Sequence, residues 1–137
     1  MPTVTLTSET LDQTIMDNEI VLLDFWADWC GPCKQFAPVF ESSSEKNSEI
    51  VYGKIDTEEQ QQLAAAAQIT SIPTLMAFKK GVAVFRQSGA LPPADLEDLV
   101  KQLKELDLDA AIAAAQSANE SDDVLPNGAV SEGGDTI

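Results

Sequence analysis

The chain has 137 residues, of which 44% are hydrophobic and 23% are charged, and it contains two cysteines and no histidine. Its formal net charge of −15 argues against binding to nucleic acid or to an anionic membrane surface, because both select basic protein faces. The absence of histidine excludes Ser-His and Cys-His catalysis and zinc sites that contain histidine.

Length and apolar content are typical of one globular domain that buries a core without a structural disulfide. No stretch approaches the roughly 20 apolar residues of a membrane span, and the first residues lack the basic and apolar regions of a signal peptide. We therefore expect a cytoplasmic protein, in a compartment where thiols are kept reduced.

The first half of the chain predicts alternating strands and helices. The predicted elements are a strand at residues 4–6, a helix capped by Thr7 or Ser8, a strand at 20–27, a helix at 34–46, a strand at 50–55 and a helix from Asp56 to about Gln68. The strand at 20–27 is almost continuously apolar, which is typical of a central strand buried on both faces.

The second half predicts a hairpin and a covering helix. Strands at 74–78 and 83–87 are separated only by residues 79–82, which requires an antiparallel hairpin. Pro92 and Pro93 then open a helix with apolar residues at helical spacing, namely Leu96, Leu99, Val100, Leu103 and Leu106. The order β-α-β-α-β-α-β-β-α predicts an α/β domain whose mixed five-stranded sheet is flanked by helices on both faces.

Beyond residue 106 the composition changes. Residues 1–106 hold 16 acidic and all 8 basic residues, whereas 107–137 hold 7 acidic residues and none that are basic. The alanine-rich segment 109–118 predicts a short helical continuation, and the acidic, glycine- and serine-rich segment 119–137 predicts disorder. We therefore divide the chain into a domain at 1–106 and an acidic C-terminal extension at 107–137.

The two cysteines lie two residues apart in Trp29-Cys30-Gly31-Pro32-Cys33-Lys34, directly after the central strand. Cys30 thus stands at the start of a helix, where free backbone N–H groups and the helix dipole stabilise a thiolate. We predict that Cys30 is the attacking sulfur and that Cys33, one turn inside the helix and less exposed, resolves the mixed disulfide. Gly31 permits the tight turn from the strand into the helix. Pro32 fixes φ in the first turn of the helix, where the backbone N–H that proline lacks has no partner within the helix.

Two other uses of this cysteine pair stay open. A structural zinc site needs four ligands, so this chain would have to complete it with carboxylates or with a second subunit. A permanent structural disulfide would close a loop of four residues, which constrains the unfolded chain little. We disfavour both and expect no metal.

Asp24 interrupts the apolar central strand. A carboxylate buried there is costly and takes up a proton, so we expect a raised pKa for Asp24. Such a group suits a general acid and base that collects and returns the proton of Cys33. The alternative is a hydrogen-bonded structural aspartate or one at a sheet edge.

The segment Asp24-Phe25-Trp26-Ala27-Asp28-Trp29-Cys30-Gly31-Pro32-Cys33-Lys34 resembles the active-site segment of the thioredoxin family. Further similar motifs are Ile72-Pro73-Thr74, Lys79-Lys80-Gly81 and Ser88-Gly89-Ala90. The resemblance covers residues 1 to about 106 and implies the thioredoxin fold, with Gly31 and Pro32 supporting the redox poise of the cysteines.

The same resemblance implies a substrate-binding surface. A cis peptide before Pro73 would leave the backbone of Ile72 free to pair with an extended client segment. Trp29, Ile72, Gly89 and Ala90 would form a shallow apolar rim that accepts many proteins.

One position departs from the family pattern. Relatives often carry a lysine near the buried acid, at the position four residues before the aspartate that ends the third strand. In this chain that aspartate is Asp56, and the position is occupied by Tyr52. The usual basic neighbour is therefore expected to be missing. Lys54 lies on the same strand face, and the sequence leaves open whether it substitutes.

The function implied by the resemblance is that of a cytoplasmic protein-disulfide reductase that maintains redox homeostasis. It needs no bound cofactor, because thioredoxin reductase re-reduces it with electrons from NADPH. The implied clients are of the ribonucleotide reductase, peroxiredoxin or methionine sulfoxide reductase type, and we expect a monomer. The alternatives are an oxidase or disulfide isomerase on the same fold, and an interaction module that uses the acidic extension for recognition.

Overall fold

The computed structural model describes residues 2–124 of the chain. Strands and helices alternate along these residues in the predicted order, with one further helix at the end. They are β1 (Thr3–Thr5), α1 (Leu11–Asp17), β2 (Ile20–Trp26), α2 (Gly31–Lys46), β3 (Val51–Asp56), α3 (Gln61–Ala66), β4 (Thr74–Lys79), β5 (Val82–Ser88), α4 (Pro93–Glu105) and α5 (Leu108–Val124).

The five strands form one mixed sheet in the order β1-β3-β2-β4-β5. Strand β3 pairs in parallel with both β1 and β2, whereas β4 pairs antiparallel with β2 and with β5. The parallel part follows from the helical crossovers, and the antiparallel part follows from the short β4–β5 connection. The predicted α/β class and mixed five-stranded sheet are confirmed.

Helices cover both faces of the sheet. On one face, Phe36 and Phe40 of α2 and Leu96 of α4 pack with Leu22 of β2. On the other face, Leu11 of α1 packs with the β2 residues whose side chains alternate with Leu22, which are Val21, Leu23 and Phe25. Strand β2 is therefore buried on both sides, as its continuous apolar run predicts.

Two helices begin later than the sequence predicts. Helix α1 begins at Leu11 rather than after Thr7 or Ser8, because the chain first forms a turn in which the Thr10 N–H donates to the Thr7 carbonyl oxygen. Helix α3 begins at Gln61, because the Asp56 carboxylate accepts the Glu58 N–H at 2.9 Å and holds a turn there. In the turn before α1 the Thr7 N–H also donates to Thr10 Oγ1 at 3.0 Å. Side-chain acceptors such as Thr10 Oγ1 and the Asp56 carboxylate compete with the first turn of a helix.

The end of the described chain also differs from the expectation. Helix α4 ends at Glu105, one residue before Leu106, and the Asp107 carboxylate accepts the Ala110 N–H at 3.1 Å. That contact is a helix N-cap, so α5 is a new helix rather than a continuation of α4. Helix α5 reaches Val124, although disorder was predicted from residue 119. The rest of the predicted disordered segment, 125–137, lies outside the described residues.

The chain forms two compact units, and the boundary between them lies between Lys104 and Glu105.

Tyr52 belongs to the core. Its ring is fully buried and meets Phe40 edge-on, and its hydroxyl lies 2.7 Å from Ser43 Oγ and 3.3 Å from Asn47 Nδ2. Burial raises the pKa of Tyr52, while the hydrogen bonds with Ser43 and Asn47 oppose that rise. The phenol therefore ties α2 to β3 as a neutral, hydrogen-bonded group.

We predict that Tyr52→Phe lowers the free energy of unfolding by about 1 to 2 kcal/mol, because it removes the partner of the buried Ser43 hydroxyl. Urea unfolding of both proteins measures this loss. Ser43→Ala/Tyr52→Phe serves as the control, because removing both partners of the 2.7 Å contact leaves fewer unsatisfied groups. A double variant that loses the full sum of the single effects would contradict this explanation.

Candidate active site

Cys30 and Cys33 lie where the central strand passes into α2. Cys30 is the N-cap residue of α2, Gly31 and Pro32 occupy its first turn, and the Cys33 N–H donates to Cys30 Sγ at 3.2 Å. The two sulfurs are joined as a disulfide, with a Cα–Cα distance of 5.2 Å. Once this bond is reduced, the same N–H group and the positive end of the helix dipole stabilise negative charge on Cys30 Sγ.

The two cysteines differ in their surroundings rather than in their exposure. Each is 3% exposed, so the expected lower exposure of Cys33 is absent. Cys30 lines an open groove of about 450 Å³, whereas Cys33 lines a separate cavity of about 100 Å³ that Lys54 also lines. One sulfur therefore faces the surface on which another chain can lie, and the other faces the cavity lined by Lys54, which is the residue opposite Asp24 in the pairing of β2 with β3.

The groove beside Cys30 is mostly apolar. Its lining residues come from the turn after β2, the start of α2, the α3 region and the loop before β4, and they are Trp29, Cys30, Gly31, Pro32, Thr57, Ala64, Ile69, Thr70, Ser71 and Ile72. Two of the four predicted rim residues, Trp29 and Ile72, line this groove. Gly89 and Ala90 are exposed but do not line it.

The peptide between Ile72 and Pro73 is cis, which confirms the conformation that the family resemblance implies. Cys30 Sγ lies 3.6 Å from the Ile72 carbonyl oxygen, and Pro73 itself is buried. The Gly89 N–H donates to the Pro73 carbonyl oxygen at 2.7 Å. Ile72 therefore lies next to Cys30 Sγ, and Gly89 is joined to the same loop through Pro73.

Trp29 is 68% exposed, so it is a surface residue rather than part of the core. Its indole Nε1 donates to Glu58 Oε2 at 3.3 Å. No pattern in the sequence points to Glu58 as a neighbour of Trp29. Strands β2 and β3 are parallel, so their carboxyl ends reach the same sheet edge, and this places a residue after β3 beside the turn that carries Trp29.

Asp24 is 1% exposed in the middle of β2. Its Oδ1 atom has no hydrogen-bond partner among residues 2–124. Burial raises the pKa of Asp24 to about 7, and the positive charge of Lys54 opposes this rise. The expected raised pKa agrees with this, and the central position of β2 excludes the alternative of a sheet-edge aspartate.

Lys54 is the basic neighbour of Asp24. The two residues lie directly opposite each other in the register of β2 and β3, and Lys54 Nζ lies 4.9 Å from the centre of the Trp26 ring. Lys54 thus supplies the positive charge beside Asp24 that Tyr52, four residues before Asp56, does not supply. The sequence leaves this question open, because the pairing of β3 with β2 determines which residue lies opposite the acid.

Within residues 2–124, histidine, cysteine, aspartate and glutamate side chains form no group of three or more that is placed to hold a metal ion. None of the helices described between these residues has the length and apolar character required to cross a membrane.

The family profile described as thioredoxin matches residues 2–102. The chain belongs to the thioredoxin family. Among its relatives is "Putative thioredoxin 2" of Streptomyces coelicolor, which is 59% identical over 107 residues, or 78% of this chain and 80% of that protein. A thioredoxin of Mycoplasma pneumoniae is 40% identical over 92 residues, covering 67% of this chain and 90% of the relative.

Solved thioredoxin structures show the same fold. A mutant thioredoxin from Halobacterium salinarum superposes with a TM-score of 0.71 at 37% identity, covering 77% of this chain and 94% of that one. Plasmodium falciparum thioredoxin gives a TM-score of 0.67 at 34% identity, with coverages of 73% and 97%.

Family membership and the cysteine pair together establish the activity. The protein is a thiol–disulfide oxidoreductase that reduces protein disulfides by dithiol–disulfide exchange. Thioredoxins need no bound cofactor, and they generally work with a thioredoxin reductase and with disulfide-containing clients.

The raised pKa of Asp24 makes stability depend on pH. The folded protein holds this proton with a pKa of about 7, against an ordinary value of 3.8, so between these values the folded state binds more protons than the unfolded state. Stability therefore falls as the pH rises through this window, and the full loss is present above it. The difference between the two pKa values corresponds to roughly 4 kcal/mol.

We predict that Asp24→Asn is more stable than the wild type by up to about 4 kcal/mol above pH 7, and that the difference vanishes well below pH 3.8, where Asp24 is protonated in both states. Urea unfolding of both proteins at several pH values measures this difference. A stability difference that stays constant with pH would show that Asp24 does not carry the proton.

Proposed function

We propose that clients bind in the groove beside Cys30 and are reduced there in two steps. An extended client segment lies against Trp29 and Ile72, and its backbone pairs with that of Ile72 next to the cis-Pro73 peptide. The observation that supports this position is the 3.6 Å distance between Cys30 Sγ and the Ile72 carbonyl oxygen, because a segment paired with Ile72 brings its own sulfur to Cys30. Gly89 supports the same surface through its hydrogen bond to Pro73.

In the first step the Cys30 thiolate attacks one sulfur of the client disulfide. A bond forms between Cys30 Sγ and that sulfur, the client disulfide breaks, and the second client sulfur leaves as a thiolate. Cys30 starts this step because its sulfur caps α2 and faces the groove. The product is a mixed disulfide.

In the second step Cys33 attacks Cys30 Sγ. Asp24 takes the proton of the Cys33 thiol, the Cys30–Cys33 bond forms, and the remaining client sulfur leaves as a thiolate. Two electrons have then passed from the dithiol to the client. A carboxyl group with a pKa of about 7 is suited to this exchange, because it both accepts and returns a proton near neutral pH.

Re-reduction closes the cycle. We propose that a thioredoxin reductase supplies the two electrons from NADPH, and that ribonucleotide reductase, peroxiredoxin or methionine sulfoxide reductase type proteins are the clients. The cytoplasm is the compartment in which such a cycle keeps thiols reduced. We infer that the protein acts there as a monomer in redox homeostasis.

The roles of the two cysteines are tested with insulin reduction driven by dithiothreitol. We predict that Cys30→Ser leaves only the rate of dithiothreitol alone, since the sulfur that faces the groove is lost. We predict that Cys33→Ser, reduced and then freed of dithiothreitol before insulin is added, accumulates the mixed disulfide, since neither Cys33 nor dithiothreitol is present to resolve it. Mass spectrometry of the trapped adduct shows which cysteine holds the client.

Truncation after Leu106 is the matched control, because it removes α5 and the acidic extension but leaves both cysteines. We predict that the truncated protein reduces insulin at the wild-type rate. Activity that survives in Cys30→Ser would overturn the proposed attack by Cys30. Activity lost only on truncation would favour an interaction module that depends on the extension.

A further inference from the structure

One wall of the groove is a loop rather than a helix or strand. Residues 69–72 connect α3 to β4, and Ile69, Thr70, Ser71 and Ile72 all line the groove beside Cys30. The shape of such a loop depends on how its two ends are held. One end is the cis peptide before Pro73, and the other is the end of α3.

The end of α3 contains an unfavourable backbone conformation. The Ile69 N–H donates to the Ala64 carbonyl oxygen at 2.9 Å, and the Gln68 N–H donates to the Ala65 carbonyl oxygen at 3.0 Å. These two bonds form a Schellman motif, whose central residue is left-handed and is usually glycine. Here that residue is Gln68, with φ of 58°, a conformation that L side chains disfavour.

Arg86 holds this turn from the neighbouring part of the sheet. It is the only arginine in the sequence, it lies on β5, and it pairs across the sheet with Met76 of β4. Its Nη1 donates to the Ala67 carbonyl oxygen at 2.6 Å, and its Nη2 donates to the Gln68 carbonyl oxygen at 2.5 Å. The guanidinium therefore binds the peptide groups on both sides of the Gln68 Cα.

The chemistry of arginine suits this position. Its planar fork presents two donors in a fixed geometry, whereas the ammonium of lysine is a single point from which two divergent carbonyls are poorly reached. Its positive charge also lies at the negative end of the α3 dipole. Both effects favour the left-handed turn at Gln68 over other conformations.

We propose that Arg86 is a positioning residue for client binding. It holds Gln68 in the left-handed conformation, and so places residues 69–72 against Cys30 in the shape that accepts an extended client. Arg86 does not line the groove itself, so its effect passes through the loop. This proposal rests on the proposed binding of clients in the groove.

The test compares a protein client with a small disulfide. Arg86→Met and Arg86→Lys are assayed with insulin and with 5,5′-dithiobis(2-nitrobenzoate), which needs little of the groove. If the binding-competent loop is populated in about a fifth of the variant molecules, the KM for insulin rises about fivefold. The kcat for insulin and the rate with the small disulfide stay at wild-type values. Lys101→Met is the matched control, because it removes one positive charge from the exposed face of α4.

A second substitution separates positioning from general stability. Gln68→Gly in the Arg86→Met background allows the left-handed turn without the guanidinium, so the KM for insulin returns toward the wild-type value. Equal losses with insulin and with the small disulfide would overturn the proposal, because they indicate damage to the whole domain. An unchanged KM in both Arg86 variants would overturn it as well.

Ile72→Ala distinguishes failure of the proposed role of Arg86 from failure of the groove as the site where clients bind. If Ile72→Ala raises the KM for insulin and the Arg86 variants do not, only the role of Arg86 is wrong. If neither changes the KM, clients do not bind in the groove, and both proposals are overturned.

Discussion

The burial of β2 between two layers of helices is the constraint on which the site depends. A strand covered on both faces solvates a charge poorly, so the pKa of Asp24 in its middle is raised to about 7. The same strand ends at Trp26, four residues before Cys30, and delivers that sulfur to the first turn of α2. One buried strand therefore positions both Asp24 and Cys30.

The two cysteines obtain different roles from this arrangement. Cys30 caps the helix and opens to the groove, where the cis-Pro73 loop lies 3.6 Å from its sulfur. Cys33 lies one turn further along α2 and lines the small cavity shared with Lys54. Lys54 limits how far burial raises the pKa of Asp24, which keeps that carboxyl titratable near neutral pH rather than permanently protonated.

Much of the fold follows from the sequence because hydrophobic periodicity is a local signal. The order of the elements, the buried central strand and the antiparallel hairpin all depend on residues close together in the chain. The starts of α1 and α3 were placed too early, because Thr10 and Asp56 form side-chain hydrogen bonds in the preceding turns. Helical composition alone does not show which of these competing bonds forms.

A site residue can be predicted from the sequence where its polarity differs from that of its neighbours, as with Asp24 in an apolar strand. It was not predictable where a residue acts across the fold. Lys54 meets Asp24 through the register of two strands, Glu58 meets Trp29 at a shared sheet edge, and Arg86 meets the end of α3 from the edge strand β5. These contacts require the pairing of distant elements, which no pattern within one segment specifies.

The transfer of the Cys33 proton to Asp24 is tested by the rate at which Cys33 resolves a mixed disulfide between Cys30 and thionitrobenzoate, followed by the released chromophore across the pH range. If Asp24 takes this proton, the wild-type rate rises through an inflection near a pH of about 7, and Asp24→Asn resolves the adduct more slowly and lacks this inflection. Superimposable pH profiles for the two proteins would overturn this role of Asp24.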